Sequence, residues 1–228
     1  MSNPAPLEHS VSLKIVKADP RVKAYIQGAN DLLNSMGYTE HGHRHAGIVS
    51  SITRYILDNV DADDREKELG SIAGYLHDIG NVVNRINHPM IGAAIAEEVL
   101  FEMGMTPVEI APILGAIGNH EELAGQPVSQ MSAALIIADK SDVHFSRVQN
   151  PIYESFDIHD RVNYAVQKSR VEMTPVNREI QLTLEIDTNV ATVMEYFEIF
   201  LTRMVMCRRS ADLLGYAFKL RVNGTLLE

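Results

Sequence analysis

Apolar residues recur at spacings of three and four along the first two thirds of the chain, the pattern of amphipathic α-helices. Residues that commonly begin or end helices bracket these segments. Pro107, for example, suits a first turn because proline has no backbone N–H to pair there. Six helices are predicted: from Asp19 to about Gly37, from near His45, from about Asp61 to Gly80, from about Pro89 to Met103, from Pro107 to about His120, and from Ser129 past Asp139.

The pattern changes after Asn150 and Pro151. Residues 179–187 alternate strictly between polar and apolar side chains, which predicts a half-buried strand. A long helix with an apolar stripe follows and ends at about Gly215. Residues 216–222 then alternate again, which predicts a second strand.

Residues 162–173 fit two structures. Val162, Tyr164 and Val166 alternate as in a strand, whereas Ile158, Val162 and Val166 would share one face of a helix. We favour the strand.

These elements predict a mainly α protein with three parts. Residues 1–18 form a loose leader, residues 19–150 a helical domain, and residues 151–228 a small α+β appendage. No internal repeat or low-complexity segment interrupts this order.

Composition narrows the class of protein. The chain has 228 residues, of which 46% are hydrophobic, so it is long enough to bury a core and too apolar for a disordered protein. Cys207 is the single cysteine, which excludes a disulfide framework. No apolar run approaches the ~20 residues of a membrane helix, and the N-terminus lacks the apolar core of a signal peptide. A cytoplasmic protein is expected.

The net charge is −10, and no basic run is present. An acidic surface repels nucleic acids and anionic lipids, so neither a nucleic-acid polymer nor a membrane is an expected partner. A small phosphorylated substrate remains compatible, because a metal or a few cations reverse the field inside a pocket.

Polar side chains with ligand chemistry lie on the apolar stripes of five predicted helices. Each alone is more typical of a hydrogen-bonded core residue, but buried carboxylates are normally paired or metal-bound. Convergence of all of them would make a mixed nitrogen and oxygen metal site. The side chains are His45, His77, Asp78, His88, His120 and Asp139.

The order His45, His77-Asp78, Asp139 resembles the signature of the HD superfamily of metal-dependent phosphohydrolases. The surrounding segments HRHAGIVSSI, AGYLHDIGN and ALIIADKSD resemble the corresponding helices of that family, over about residues 40–148. The resemblance implies an HD-type helical bundle, phosphohydrolase activity, and a first metal bound by these four residues.

Two further segments, HPMIG and NHEE, resemble ligand-donating segments of the two-metal HD branches, such as the HD-GYP phosphodiesterases and the symmetrical diadenosine-tetraphosphate hydrolases. The resemblance implies that His88 and His120 hold a second metal and that Asp78 bridges the two. Asn81 and Asn119 depart from the HD-GYP pattern, and the Gly-Tyr-Pro tripeptide is missing. A plain phosphomonoesterase or nucleotide hydrolase therefore fits better than a cyclic-dinucleotide hydrolase.

The expected reaction is attack of metal-activated water on a phosphate ester of a small molecule, with a nucleotide as one candidate. One or two divalent ions are expected. Histidine and aspartate ligands suit Mn²⁺ or Fe²⁺ best, with Mg²⁺, Zn²⁺ and Co²⁺ as alternatives.

Four other polar residues surround these ligands in the sequence. Asp142 follows Asp139 by three residues and is expected to orient a ligand or move a proton. Lys140 is expected to take part in catalysis or to hold a phosphate, and Arg147 shares its helix face at i+7. Arg44 precedes the first ligand and is a further phosphate-binding candidate. The alternative for all four is a solvated helix face with ordinary ion pairs.

Two other functions use the same residues. A di-iron HD-type oxygenase needs the same cage of histidines and aspartates. A ligand-sensing regulatory HD module is the third interpretation, although such modules often lose metal ligands. The appendage is expected to support a homodimer.

Overall fold

The computed structural model describes residues 10–227, so the first nine residues of the predicted leader lie outside it. The described part contains nine α-helices and four β-strands, together with short 3-10 helices. The helices are α1 (Leu13–Ala18), α2 (Pro20–Ser35), α3 (His43–Asn59), α4 (Asp64–Leu76), α5 (His88–Glu102), α6 (Pro107–Gly118), α7 (Gln130–Ser141), α8 (Ile158–Ala165) and α9 (Val193–Leu213). The strands are β1 (Val166–Thr174), β2 (Glu179–Ile186), β3 (Ala217–Val222) and β4 (Thr225–Leu227). The mainly α fold with a small C-terminal α+β appendage is thus as predicted.

Side-chain caps set the starts of several helices. The Asp19 carboxylate accepts hydrogen bonds from the second and third amides of α2, and Asp63 and Ser129 cap α4 and α7. Thr192 and Glu195 form a reciprocal capping box at α9. These residues satisfy amides that have no partner within the helix.

The third predicted helix is shorter than expected. It ends at Leu76 rather than Gly80, and residues Ile79–Val82 form a separate 3-10 helix. His77 and Asp78 therefore stand at the bend between the two, where both side chains face the interior.

The described end of the predicted leader is packed rather than loose. Residues 13–18 form α1, and Val11 and Val16 are buried in the core of the helical domain. The Leu13 amide donates to Glu68 Oε1 on α4 at 2.6 Å.

The favoured interpretation of residues 162–173 is wrong for its first four residues. Asp157 caps α8, and Val162 and Ala165 pack together on its buried face, so the chain remains helical up to residue 165. The strand begins only at Val166.

The four strands form one sheet in the order β1-β2-β3-β4. β2 pairs antiparallel with β1 and parallel with β3, and α9 makes the crossover between the parallel pair. The apolar positions of β2, Ile180, Leu182 and Leu184, all face the buried side, as the alternation predicts.

The appendage and the helical domain share a core. Phe200 and Cys207 on α9 belong to the same buried cluster as Ile56 on α3 and Ala133 on α7. This packing places α9 directly against α7. Among residues 10–227, no helix is both long and apolar enough to cross a membrane.

Candidate metal centre

The four predicted histidine ligands are fully buried and lie at helix ends or bends. His45 and His88 lie in the first turns of α3 and α5, and His77 and His120 lie just after α4 and α6. Their rings form a chain of neighbours with centroids 5.0–5.1 Å apart. The structure therefore brings together side chains that are up to 75 residues apart in the sequence.

Each ring is oriented by its Nδ1 atom. Every Nδ1 faces an oxygen that can only accept a hydrogen bond, so Nδ1 carries a proton and Nε2 is the nitrogen that faces the other ligands. The acceptors are Asp142 Oδ2 for His45 (2.7 Å), and the carbonyl oxygens of Gly74 for His77 (2.9 Å), of Arg85 for His88 (2.9 Å) and of Ile117 for His120 (2.6 Å).

The Nε2 atoms then face each other in two pairs. His45 and His77 Nε2 are 3.2 Å apart, and His88 and His120 Nε2 are 3.1 Å apart. Two nitrogen lone pairs at this distance repel each other unless a positive charge lies between them. Each pair is therefore arranged as two ligands of a cation.

Asp78 lies between the two histidine pairs. Its Oδ2 is 3.3 Å from His77 Nε2, and its Oδ1 is 3.2 Å from His88 Nε2. Asn81 donates to the same Oδ1 at 2.9 Å and fixes the carboxylate. Asp139 lies beside the first pair, with Oδ1 at 3.3 Å from His45 Nε2. One carboxylate oxygen thus faces each pair, as a bridging ligand requires.

The carboxylates of Asp78 and Asp139 favour binding of a cation between the histidines. Burial by itself lowers the pKa of His77, but Asp78 and Asp139 overcome it and raise that pKa to about 10. Burial raises the pKa of Asp78, yet the facing histidines, His77 above all, hold it well below its usual range.

Three overlapping groups of these six residues each place their ligand atoms within 4.8 Å of one another. Nitrogen and oxygen donors with no thiolate fit a divalent metal ion, so the residues fit the cofactor that their pattern predicts. The six residues thus form a candidate divalent-metal centre.

Asp142 lies behind His45 and orients it. It is the C-cap of α7, 5% exposed, and receives both terminal nitrogens of Arg44 at 3.0 and 3.2 Å. Burial raises the pKa of Asp142, but the hydrogen bond from His45 and the charges of Arg147 and Arg44 hold it well below its usual range. This placement gives Arg44 a role in fixing Asp142, and its predicted phosphate contact stays a prediction.

Lys140 is buried between two carboxylates. Its Nζ is 2.9 Å from Asp139 Oδ2 and 2.6 Å from Glu122 Oε2, and Glu122 in turn binds Arg203 of α9 at 3.1 Å. Burial lowers the pKa of Lys140, but Asp139 and Glu122 overcome this and raise it above its usual value. Lys140 thus positions Asp139, and its predicted catalytic and substrate contacts stay predictions.

The predicted shared face of Lys140 and Arg147 does not form. Helix α7 ends at Ser141, and Arg147 lies in a separate 3-10 helix, so the i+7 relation is lost. The Arg147 guanidinium is 3% exposed and donates to the carbonyl oxygens of Glu40 and Asp142. These hydrogen bonds hold the segment between α2 and α3 against the end of α7.

A cavity of about 720 Å³ opens beside His88. This volume lies within the range of small-molecule sites, which is about 300–1,000 Å³. Its wall combines apolar side chains from the helical domain with residues of the appendage. These include Tyr38, Arg85, Met90, Glu121, Leu123, Asn163, Phe200 and Arg203.

Sequence reasoning missed Arg85. Its guanidinium is 3.3 Å from both His88 Nε2 and Glu121 Oε2, and it lines the cavity. Its position three residues before His88 is the only sequence signal for it. Glu121, the residue after His120, holds it in place.

The HD domain model matches residues 42–144. An uncharacterized protein of Methanocaldococcus jannaschii is 21% identical over 203 residues, covering 78% of this chain and 76% of that protein. A crystal structure of a predicted HD superfamily hydrolase from an uncultured Thermotogales bacterium matches 57% of this chain and 73% of its own, with 22% identity and a TM-score of 0.43. The part of the chain that matches the HD domain model, residues 42–144, contains all six clustered histidines and aspartates.

Proposed function

We propose that this protein is a metal-dependent phosphohydrolase that cleaves a phosphate ester of a small molecule, with nucleotides as the first substrates to test. The observation that carries the proposal is Asp78, which presents one oxygen to each of two facing histidine pairs beside an open cavity. Two such clusters sharing a carboxylate are the arrangement that in-line phosphoryl transfer uses.

A divalent ion, when bound here, lowers the pKa of coordinated water and neutralises phosphoryl oxygens. Mn²⁺ and Fe²⁺ are the proposed ions, since mixed histidine and aspartate donors suit them. His45, His77, Asp78 and Asp139 would hold the first ion, and Asp78, His88 and His120 the second.

The chain's own residues prepare the reaction by positioning. Asp142 and three backbone carbonyls accept the Nδ1 protons of the four histidines and aim their Nε2 atoms inward. Arg85, held by Glu121, offers a guanidinium to a phosphate that enters beside His88. Asp78 is the proposed catalytic carboxylate, and Asn81 fixes its orientation.

The test is phosphate release from a panel of nucleotides and sugar phosphates by protein reconstituted with Mn²⁺ or Fe²⁺. Asp78→Ala is expected to lower turnover by more than the ~100-fold that loss of a ligand's outer partner costs. Asp58→Ala, at a half-exposed surface carboxylate, is the matched control and is expected to keep full activity.

Folded, metal-loaded protein that releases no phosphate from any compound would overturn the proposal. Oxygen consumption by the iron-loaded form would then favour an HD-type oxygenase. Nucleotide binding without turnover would favour a sensing module.

A further inference from the structure

The cavity beside the metal centre is built by both parts of the chain. Asn163 on α8 and Phe200 and Arg203 on α9 contribute to its wall, together with His88 and Arg85 of the helical domain. A ligand that reaches the metal centre from this cavity therefore meets the appendage as well.

Arg203 is held rigidly in that wall. Its Nε donates to Glu122 Oε1 at 3.1 Å, and its guanidinium lies over the Phe200 ring at 4.5 Å from the centroid. Among residues 10–227, nothing pairs with its two terminal nitrogens. A guanidinium fixed by Nε with both terminal groups unpaired is a preformed two-pronged donor for a phosphate or carboxylate.

The terminal nitrogens of the other two arginines of the wall already have partners on the protein. Arg147 donates to backbone carbonyl oxygens, and Arg85 contacts His88 and Glu121. Burial lowers the pKa of Arg147, and the nearby charge of Arg203 lowers it further. Arg203 and Arg147 thus repel each other, which is unusual on a protein with a net charge of −10. An anion bound at Arg203 would relieve this repulsion.

Arg203 is also close to the metal ligands. Contacts of 3.1, 2.6 and 2.9 Å link it through Glu122 and Lys140 to Asp139. Arg203 and His88 also line the same cavity, so one small molecule in it can contact both.

We propose that Arg203 is a second anion site, and that the substrate is a phosphate ester carrying another anionic group, which the terminal nitrogens of Arg203 bind while the ester lies at the metal centre. The identity of the substrate rests on the proposed function. The anion site itself does not, because it is formed by protein atoms alone. The appendage then selects the substrate.

The experiment compares binding of matched ligand pairs by calorimetry to the full chain loaded with Mn²⁺, with phosphate release measured in the same samples. The pairs are ADP against AMP, adenosine 3′,5′-bisphosphate against AMP, and fructose 1,6-bisphosphate against fructose 6-phosphate, which place the second anion at different distances. At least one doubly phosphorylated ligand is expected to bind on the order of 10- to 100-fold more tightly than its partner, the worth of a charge-assisted hydrogen-bond pair.

Two variants assign that preference. Arg203→Gln is expected to abolish it, and Arg203→Lys to reduce it while keeping the positive charge beside Glu122 and thus the fold. Arg208→Gln, at an exposed arginine on the same helix, is the matched control and should keep the preference. Unchanged Mn²⁺ affinity in Arg203→Lys shows that the metal centre is intact.

The proposal is overturned if no second phosphate improves binding, or if the preference survives in Arg203→Gln. Phosphate release without any preference would overturn the anion site and leave the phosphohydrolase standing. A preference lost in Arg203→Gln, in protein that hydrolyses nothing, would keep the anion site and refute the proposed function.

Discussion

Nδ1 of His45 lies 2.7 Å from Oδ2 of Asp142, the shortest contact that the Asp142 carboxylate makes. The bond directs Nε2 of His45 toward Asp139 and His77. The two terminal nitrogens of Arg44 hold both oxygens of the same carboxylate, so it cannot rotate away. A carboxylate–histidine pair of this kind fixes the ring and raises the basicity of its metal-binding nitrogen.

Asp142→Asn is expected to weaken metal binding about 10- to 100-fold. An amide at this position loses the charge that supports His45, and its NH₂ group opposes a donor from either His45 or Arg44. Calorimetric titration of each variant with Mn²⁺ measures the change in metal affinity. Asp58→Asn at the surface is the control, and equal affinity in both variants would contradict the role of Asp142.

Gly80 permits the close approach of α5 to the bend that carries His77 and Asp78. A methyl group there would overlap the backbone oxygen of His88 and the backbone nitrogen of Gly92. Gly80→Ala is therefore expected to destabilise the fold by about 3 kcal/mol, measured by urea unfolding. Gly47→Ala is the matched control, because a methyl group at this helical position meets nothing within 4 Å. It is expected to stabilise by up to ~1 kcal/mol, and equal effects would refute the packing argument.

The convergence of the six predicted ligands could be foreseen from the sequence because its signals are local. His45 and Asp139 each continue an apolar helix stripe, and a residue on such a stripe must face the interior. The alternation of residues 179–187 predicted β2 for the same reason, since every second side chain is buried.

The residues that contact the predicted ligands are brought there by long-range packing, which no local sequence pattern indicates. Arg203 and Glu122 are 81 positions apart and meet only because α9 packs against α7. Helical spacing misplaces Arg147, because α7 ends at Ser141. Helix α8 has only eight residues, too few for its period to outweigh an equally good strand alternation.

Arg65 joins three segments far from the metal centre. Its Nε donates to Glu109 on α6 at 2.6 Å, and its Nη1 donates to the carbonyl oxygen of Val11 at 2.8 Å. The hydrogen bond from Arg65 holds the pKa of Glu109 below its usual value of 4.5. Because the folded-state pKa is lowered, the ionised pair stabilises the protein above about pH 4.5, and this stability is lost as the pH falls through the folded-state pKa.

Glu109→Gln is therefore expected to unfold at a lower temperature than wild type at pH 7, by the equivalent of about 1 kcal/mol. The difference should shrink below pH 4.5, where Glu109 itself takes up a proton. Thermal melts of both proteins across this pH range measure the difference, which cancels the titration of all other groups. A gap that stays constant with pH would contradict the ion pair.

Cys207 reports on the junction between the appendage and the helical domain. Its side chain is fully buried in the core shared by α9, α3 and α7, and burial raises the pKa of its thiol to about 12. Since the thiolate is the reactive form, the folded protein is expected to leave Cys207 unmodified by a thiol reagent at pH 8. Full denaturation should release one thiol per chain. Slow modification of the native protein at a rate equal to global unfolding would show that the two parts unfold together, whereas fast modification would show that α9 leaves the shared core independently. The shared cluster predicts the slow rate.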